Sequence, residues 1–134
     1  NLVSTLAILP DTKEINTFNL EAEASRQGEY VAVRQVISNK ETYKNDLEFF
    51  DWFLVKTGNQ GVMYNEAKNL LNEYLLTNPS FIIQREWELP DKSKVSLLKR
   101  ESLNGNSVLF FSISEVVISR VLIKYLASIN SLEI

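Results

Sequence analysis

Tyr30-Val31-Ala32-Val33-Arg34-Gln35-Val36-Ile37 and, a dozen residues on, Phe49-Phe50-Asp51-Trp52-Phe53 are the stretches on which the fold turns. Tyr30, Val33, Val36 and Ile37 fall on one stripe of a 3.6-residue period, with Ala22 and Ala24 leading in, so the spacing predicts a first helix from Glu21. Phe49, Phe50, Trp52 and Phe53 set four rings within five positions, which predicts a second helix over 45–56. At ~25 cal/mol per Å² such a cluster is worth burying, so Trp52 and Phe49 are expected in the core, covered by a third helix and a sheet.

Working outward, Met63, Ala67, Leu70, Leu71 and Tyr74 form the apolar stripe of that third helix. Thr77-Asn78-Pro79 ends it, because the residue before a proline avoids helical angles. Beyond this point the period changes. Phe81, Ile83, Trp87 and Leu89 alternate with Gln84, Glu86 and Glu88, as in a half-buried strand. Residues 94–102 and 107–114 read as two further strands joined through Leu103-Asn104-Gly105-Asn106, whose Asn-Gly pair suits a type I′ hairpin turn. In 120–129, Val121, Ile123, Tyr125, Ala127 and Ile129 fit one strand face, whereas Ile118, Leu122, Tyr125 and Ile129 fit a helix. The Val and Ile content tips the reading to a strand. The resulting expectation is an α+β fold, three N-terminal helices on a four-stranded antiparallel sheet, in one domain spanning 1–134. The opening Leu2–Leu9 is too short to cross a bilayer. It reads as the first element of the fold or the tail of a removed membrane helix.

Composition excludes several classes. Of 134 residues 45% are hydrophobic and 23% charged, which suits a globular domain. A net charge of −3 leaves no electrostatic footprint for nucleic acid. There is no cysteine and no histidine, so thiolate chemistry and the commonest general base and metal ligand are absent. The acids are scattered, and no metal or other cofactor is expected. Glu86 and Glu88 share a strand face as solvated acids, and Lys40-Glu41 reads as a solvated loop. Gly58 to Gly61 is a turn without the spacing or lysine of a phosphate loop. Lys56-Thr57-Gly58 and Ser96-Leu97-Leu98-Lys99 are chance likenesses to penicillin-binding motifs, in reversed order. Asp51, Tyr30 and Tyr125 are the only groups that would serve chemistry inside a deep pocket.

Tyr30-Val31 and Arg34 resemble the Tyr-Val-x-x-Arg-Glu-x-Tyr motif of the eighth VirB component of bacterial type IV secretion and conjugation machines, with Gln35 and Ile37 at the other two positions. Phe50-Asp51 with Val55, Val62 to Tyr64, and Asn78-Pro79 resemble further stretches of that family, with Phe81 where its loop has glycine. The resemblance implies a nuclear-transport-factor-two-like fold, with helices against a strongly curved sheet. It implies a non-enzymatic assembly or scaffold role through contacts with other secretion-system proteins, and a weak homodimer. It also implies a place at the bacterial inner membrane, facing the periplasm, behind a transmembrane helix outside this chain. Tyr30, Val31, Arg34, Asn78 and Pro79 are the candidate contact or structural residues. On a helix, Tyr30 would be the buried one and Arg34 the exposed one. A small-molecule binder or isomerase or dehydratase on the same cone-shaped fold is the alternative, and an interaction domain unrelated to secretion is a third.

Overall fold

The computed structural model describes residues 3–36, 45, 47–61, 66–101 and 108–131. The chain runs β1 (Ser4–Ile8), α1 (Thr17–Arg26), β2 (Val31–Gln35), a 3₁₀ turn (Leu47–Phe49), β3 (Trp52–Lys56), α2 (Glu66–Thr77), β4 (Phe81–Glu88), β5 (Lys94–Arg100) and α3 (Val108–Ser131). The five strands form one mixed sheet in the order β2-β1-β3-β5-β4. β1 lies parallel to both neighbours, with Ser4 to Ile8 opposite Val31 to Gln35 and Ala7-Ile8 opposite Phe53-Leu54. β5 runs antiparallel to β3 and to β4, and a bulge between Ile83 and Arg85 breaks the outer register.

Side chains alternate across a strand, and here both faces are covered. Leu6, Ile8, Val33, Trp52, Leu54, Val95 and Leu97 pack on one face with Leu20 of α1 and Ile118, Leu122, Tyr125 and Leu126 of α3. Ala7, Leu9, Val36, Phe53, Val55, Phe81 and Leu98 pack on the other with Leu47 and with Leu71 and Leu75 of α2. The architecture is therefore three layers, helix–sheet–helix.

This overturns three N-terminal helices on a four-stranded antiparallel sheet, and with it the nuclear-transport-factor-two-like expectation. Residues 31–35 and 52–56 are strands. β3 is buried at all five positions, so its apolar run has no alternation to distinguish it from a buried helix. The stripe drawn through Tyr30, Val33 and Val36 crosses from one sheet face to the other. The first helix lies earlier, where Asn16 caps it by accepting the Asn19 N–H at 2.8 Å. The strands expected over 107–114 and 120–129 are replaced by α3, whose buried row Ile118, Leu122, Tyr125 is the helical alternative. α2, β4 and β5 stand where the periodicity puts them. The Leu103–Asn106 turn, Lys40-Glu41 and Val62 to Tyr64 lie outside the described residues. Of the rings, Trp52 is 2% exposed and packs with α3's cluster, whereas Phe49 is 82% exposed, contrary to its expected burial.

Candidate functional site

The residues of the motif are not brought together. Tyr30 and Val31 open β2 at one edge of the sheet, and Asn78-Pro79 leads into β4 at the other, ~19 Å away across four strand spacings. Tyr30 is 56% exposed, which overturns its expected burial. Arg34 is exposed as expected. It pairs with Glu21 at 3.4 Å and donates to its neighbour Val33 O at 3.1 Å. Glu21 also accepts the Val33 N–H at 2.9 Å, so both backbone groups of Val33 are capped by side chains. Asn78 builds the turn after α2, its Oδ1 accepting the Ser80 N–H at 2.8 Å and its carbonyl the Phe81 N–H at 3.1 Å.

The candidates for pocket chemistry are structural too. Burial raises the Asp51 carboxyl's pKa, and Arg100 at 3.4 Å opposes the shift. The same guanidinium donates to the Phe50 and Leu47 carbonyls, locking the 3₁₀ turn to β5. Burial also raises the Tyr125 phenol's pKa, and its hydroxyl donates to the Glu14 carbonyl. Glu86 accepts from the Ser96 hydroxyl at 3.3 Å, while Lys99 lies over the Trp52 ring on the opposite face of the sheet. Among the described residues no cluster of acids, His or Cys could hold a metal, and no helix is long and apolar enough to cross a membrane.

Two regions have the geometry of sites. The first is at the carboxyl ends of β1 and β3. The loop after β1 leads to α1 on one face and the loop after β3 leads to α2 on the other, so the parallel strands part at a topological switch point. The two loops are stitched together. The Asp11 N–H donates to Gln60 O at 2.9 Å, and Gly61 adopts φ +98 in a parallel bridge to Asp11. Lys56, 5% exposed, sends its ammonium to the Thr57 and Asn59 carbonyls at 3.1 and 2.7 Å, with Asp91 4.0 Å away. Two hydrogen bonds from Ser93 lower the Asp91 pKa. Burial lowers the Lys68 pKa against the pull of the Asp11 carboxylate. A cavity of about 520 Å³ opens between this loop and Asn69, Asn72 and Leu76 of α2. Another, of about 320 Å³, opens beside Thr12, Glu14, Leu89 and Asp91. The sequence reading passed over this end. Its signals are Pro10-Asp11 closing one apolar run and Lys56-Thr57-Gly58 closing another.

The second region is at the amino ends of β1 and β2. Val3 and Tyr30, 51% and 56% exposed, line one shallow depression. The Ser4 hydroxyl donates to Ser114 Oγ at 3.0 Å, and Arg120 pairs with Glu29, bringing α3 alongside. Ile113 and Val116 of α3 are 42% and 54% exposed there. These are two adjacent depressions, one holding Val3 and Tyr30 with Glu21 and Glu29, the other Ile113 and Val116 with Arg120, joined by the Arg120–Glu29 ion pair.

No family model, curated protein or solved structure matches the chain.

Proposed function

We propose that this chain is a non-enzymatic domain that works through protein–protein contacts, as a scaffold or assembly component. The carrying observation is the set of exposed apolar side chains Val3, Tyr30, Ile113 and Val116, which line two depressions joined by the Arg120–Glu29 pair. Scattered exposed apolar residues need no explanation, but a grouped set at one end of a domain is the usual mark of a contact site. Tyr30 supplies an amphipathic ring of the kind enriched at such contacts.

The narrower form of the proposal is a component of a type IV secretion or conjugation apparatus. It would sit on the periplasmic side of a bacterial inner membrane, with other secretion-system proteins and a weakly bound second copy as partners. That form rests on the resemblance from Tyr30 to Phe81, led by the Tyr30, Val31 and Arg34 match, and Tyr30 and Val31 line one of the two depressions.

The test is photocrosslinking in the intact protein in its own cell, with the reactive residue at Val116 or Tyr30 and, as control, at exposed Glu101. Adducts with identified components of one assembly, formed from the first two positions and not from Glu101, are the expected result. Equal labelling from all three positions, or none from Val116 and Tyr30, overturns the proposal.

A further inference from the structure

We infer that the cavity between the β3–α2 loop and α2 is a binding site for a neutral polyhydroxylated ligand, of the sugar or polyol class. It lies at the opposite end of the strands from the contact surface and rests on different observations.

Position is the first. In open sheets with parallel strands, ligands are received outside the carboxyl ends where neighbouring connections leave on opposite faces, and β1 and β3 meet that description. The volume of about 520 Å³ is within the range of small-molecule sites.

The chemistry of the walls is the second. Four carboxamide residues, Asn59, Gln60, Asn69 and Asn72, line one cavity together with Thr57, while Asn59 Oδ1 and Thr57 Oγ1 already accept the Gly61 and Lys94 N–H groups. A carboxamide both donates and accepts, as a hydroxyl does, so a ring of them matches a ligand with many hydroxyls. Leu76, 44% exposed, gives one wall an apolar face for carbon-bound hydrogens.

Two oxygens without donors are the third observation. Gln60 is 7% exposed, and its Oε1 accepts no hydrogen bond; Asn72 Oδ1 is likewise shut from solvent and unpaired. Buried acceptors are almost always satisfied, so two on residues that line one cavity call for a donor. Gln60 Nε2 donates to the Lys56 and Gly58 carbonyls, which holds that carboxamide in place beside the cavity.

Charge decides against an anion. Lys56 is the single cation among the cavity residues, and its ammonium is already committed to the Thr57 and Asn59 carbonyls. No further cation in that lining remains to receive a phosphate or carboxylate.

The test is an amide NMR titration of the chain with D-glucose and with myo-inositol, and separately with inorganic phosphate. Saturable shifts at Gly58, Gln60, Asn69 and Asn72 with at least one polyol, and none with phosphate, are expected. Asn72→Leu should weaken that binding about tenfold. Should Asn72→Leu fail to fold, exposed Asn69→Leu serves in its place and should weaken binding in the same direction. Unsaturated drift or no shift with both polyols, phosphate shifting the same amides, or a folded variant that binds as well as the parent each overturn the inference.

Discussion

β1 ends in two different kinds of surface. At its carboxyl end the backbone is stitched: the Asp11 N–H to Gln60 O, the Lys56 ammonium to two carbonyls, and the Lys94 N–H to Thr57 Oγ1 at 2.8 Å. At its amino end the polar links join side chains, Ser4 to Ser114 and Arg120 to Glu29, and Val3, Tyr30, Ile113 and Val116 are exposed beside them. A polar rim holds a shape, because each bond is directional and an unmet partner is costly. An apolar end holds no shape of its own and awaits a cover. The first suits a small ligand and the second a macromolecular surface.

Four measurements would break or sharpen that contrast. The largest effect is expected from Gly61→Ala. An added Cβ would stand 1.7 Å from Asp11 O, on a backbone with φ +98. A loss of ~3 kcal/mol or more in chemical denaturation is expected, and a silent substitution would mean the two loops are not locked together. Next is Lys56→Met, which leaves the Thr57 and Asn59 carbonyls without their donor. A cost of ~2 kcal/mol in the same assay is expected, and a gain in stability would refute the stitching role.

The third is a pH dependence. Lys68 has its folded pKa lowered by burial, so the unfolded chain binds more protons in the window between that value and the ordinary lysine range. Stability contributed by this group is therefore lowest below the window and rises as pH climbs through it. Wild type should gain on Lys68→Met as pH rises, read as the gap between their denaturation midpoints. A gap that moves the other way would place Lys68 in a charge-favouring site. The smallest effect on folding is expected from Val116→Glu, within about 0.5 kcal/mol in a thermal melt. The same variant should abolish the contacts of the amino end, and a melt lowered by several kcal/mol would show that Val116 belongs to the core.

The sequence was legible where one face of an element meets water. α2 keeps its apolar stripe, and β4 is found as the outermost strand, although the bulge after Ile83 breaks its alternation and leaves Ile83 exposed. It was illegible where burial is complete. In Trp52-Phe53-Leu54-Val55-Lys56 every side chain is covered, so no period survives. Phe53 is wholly buried and Phe49 mostly exposed although both belong to one aromatic run, since ring density says nothing of which face a short turn presents. Ile118, Leu122 and Tyr125 carried the right signal, and β-propensity outweighed it wrongly. The switch-point cavity depends on which face each connection takes, a property of topology that no local motif records.

α3 covers β1, yet Ser4 and Ser114, which touch, are 110 positions apart. At ribosomal rates that separation corresponds to about 5–20 s. For that interval Leu6 and Ile8, and for about its second half Trp52 and Leu54, have α1 but no α3 to lie against, and that side of the nascent sheet is only partly covered. Any break in translation before α3 therefore releases a sticky half-sandwich, and a chaperone that shields apolar strands would find its substrate there.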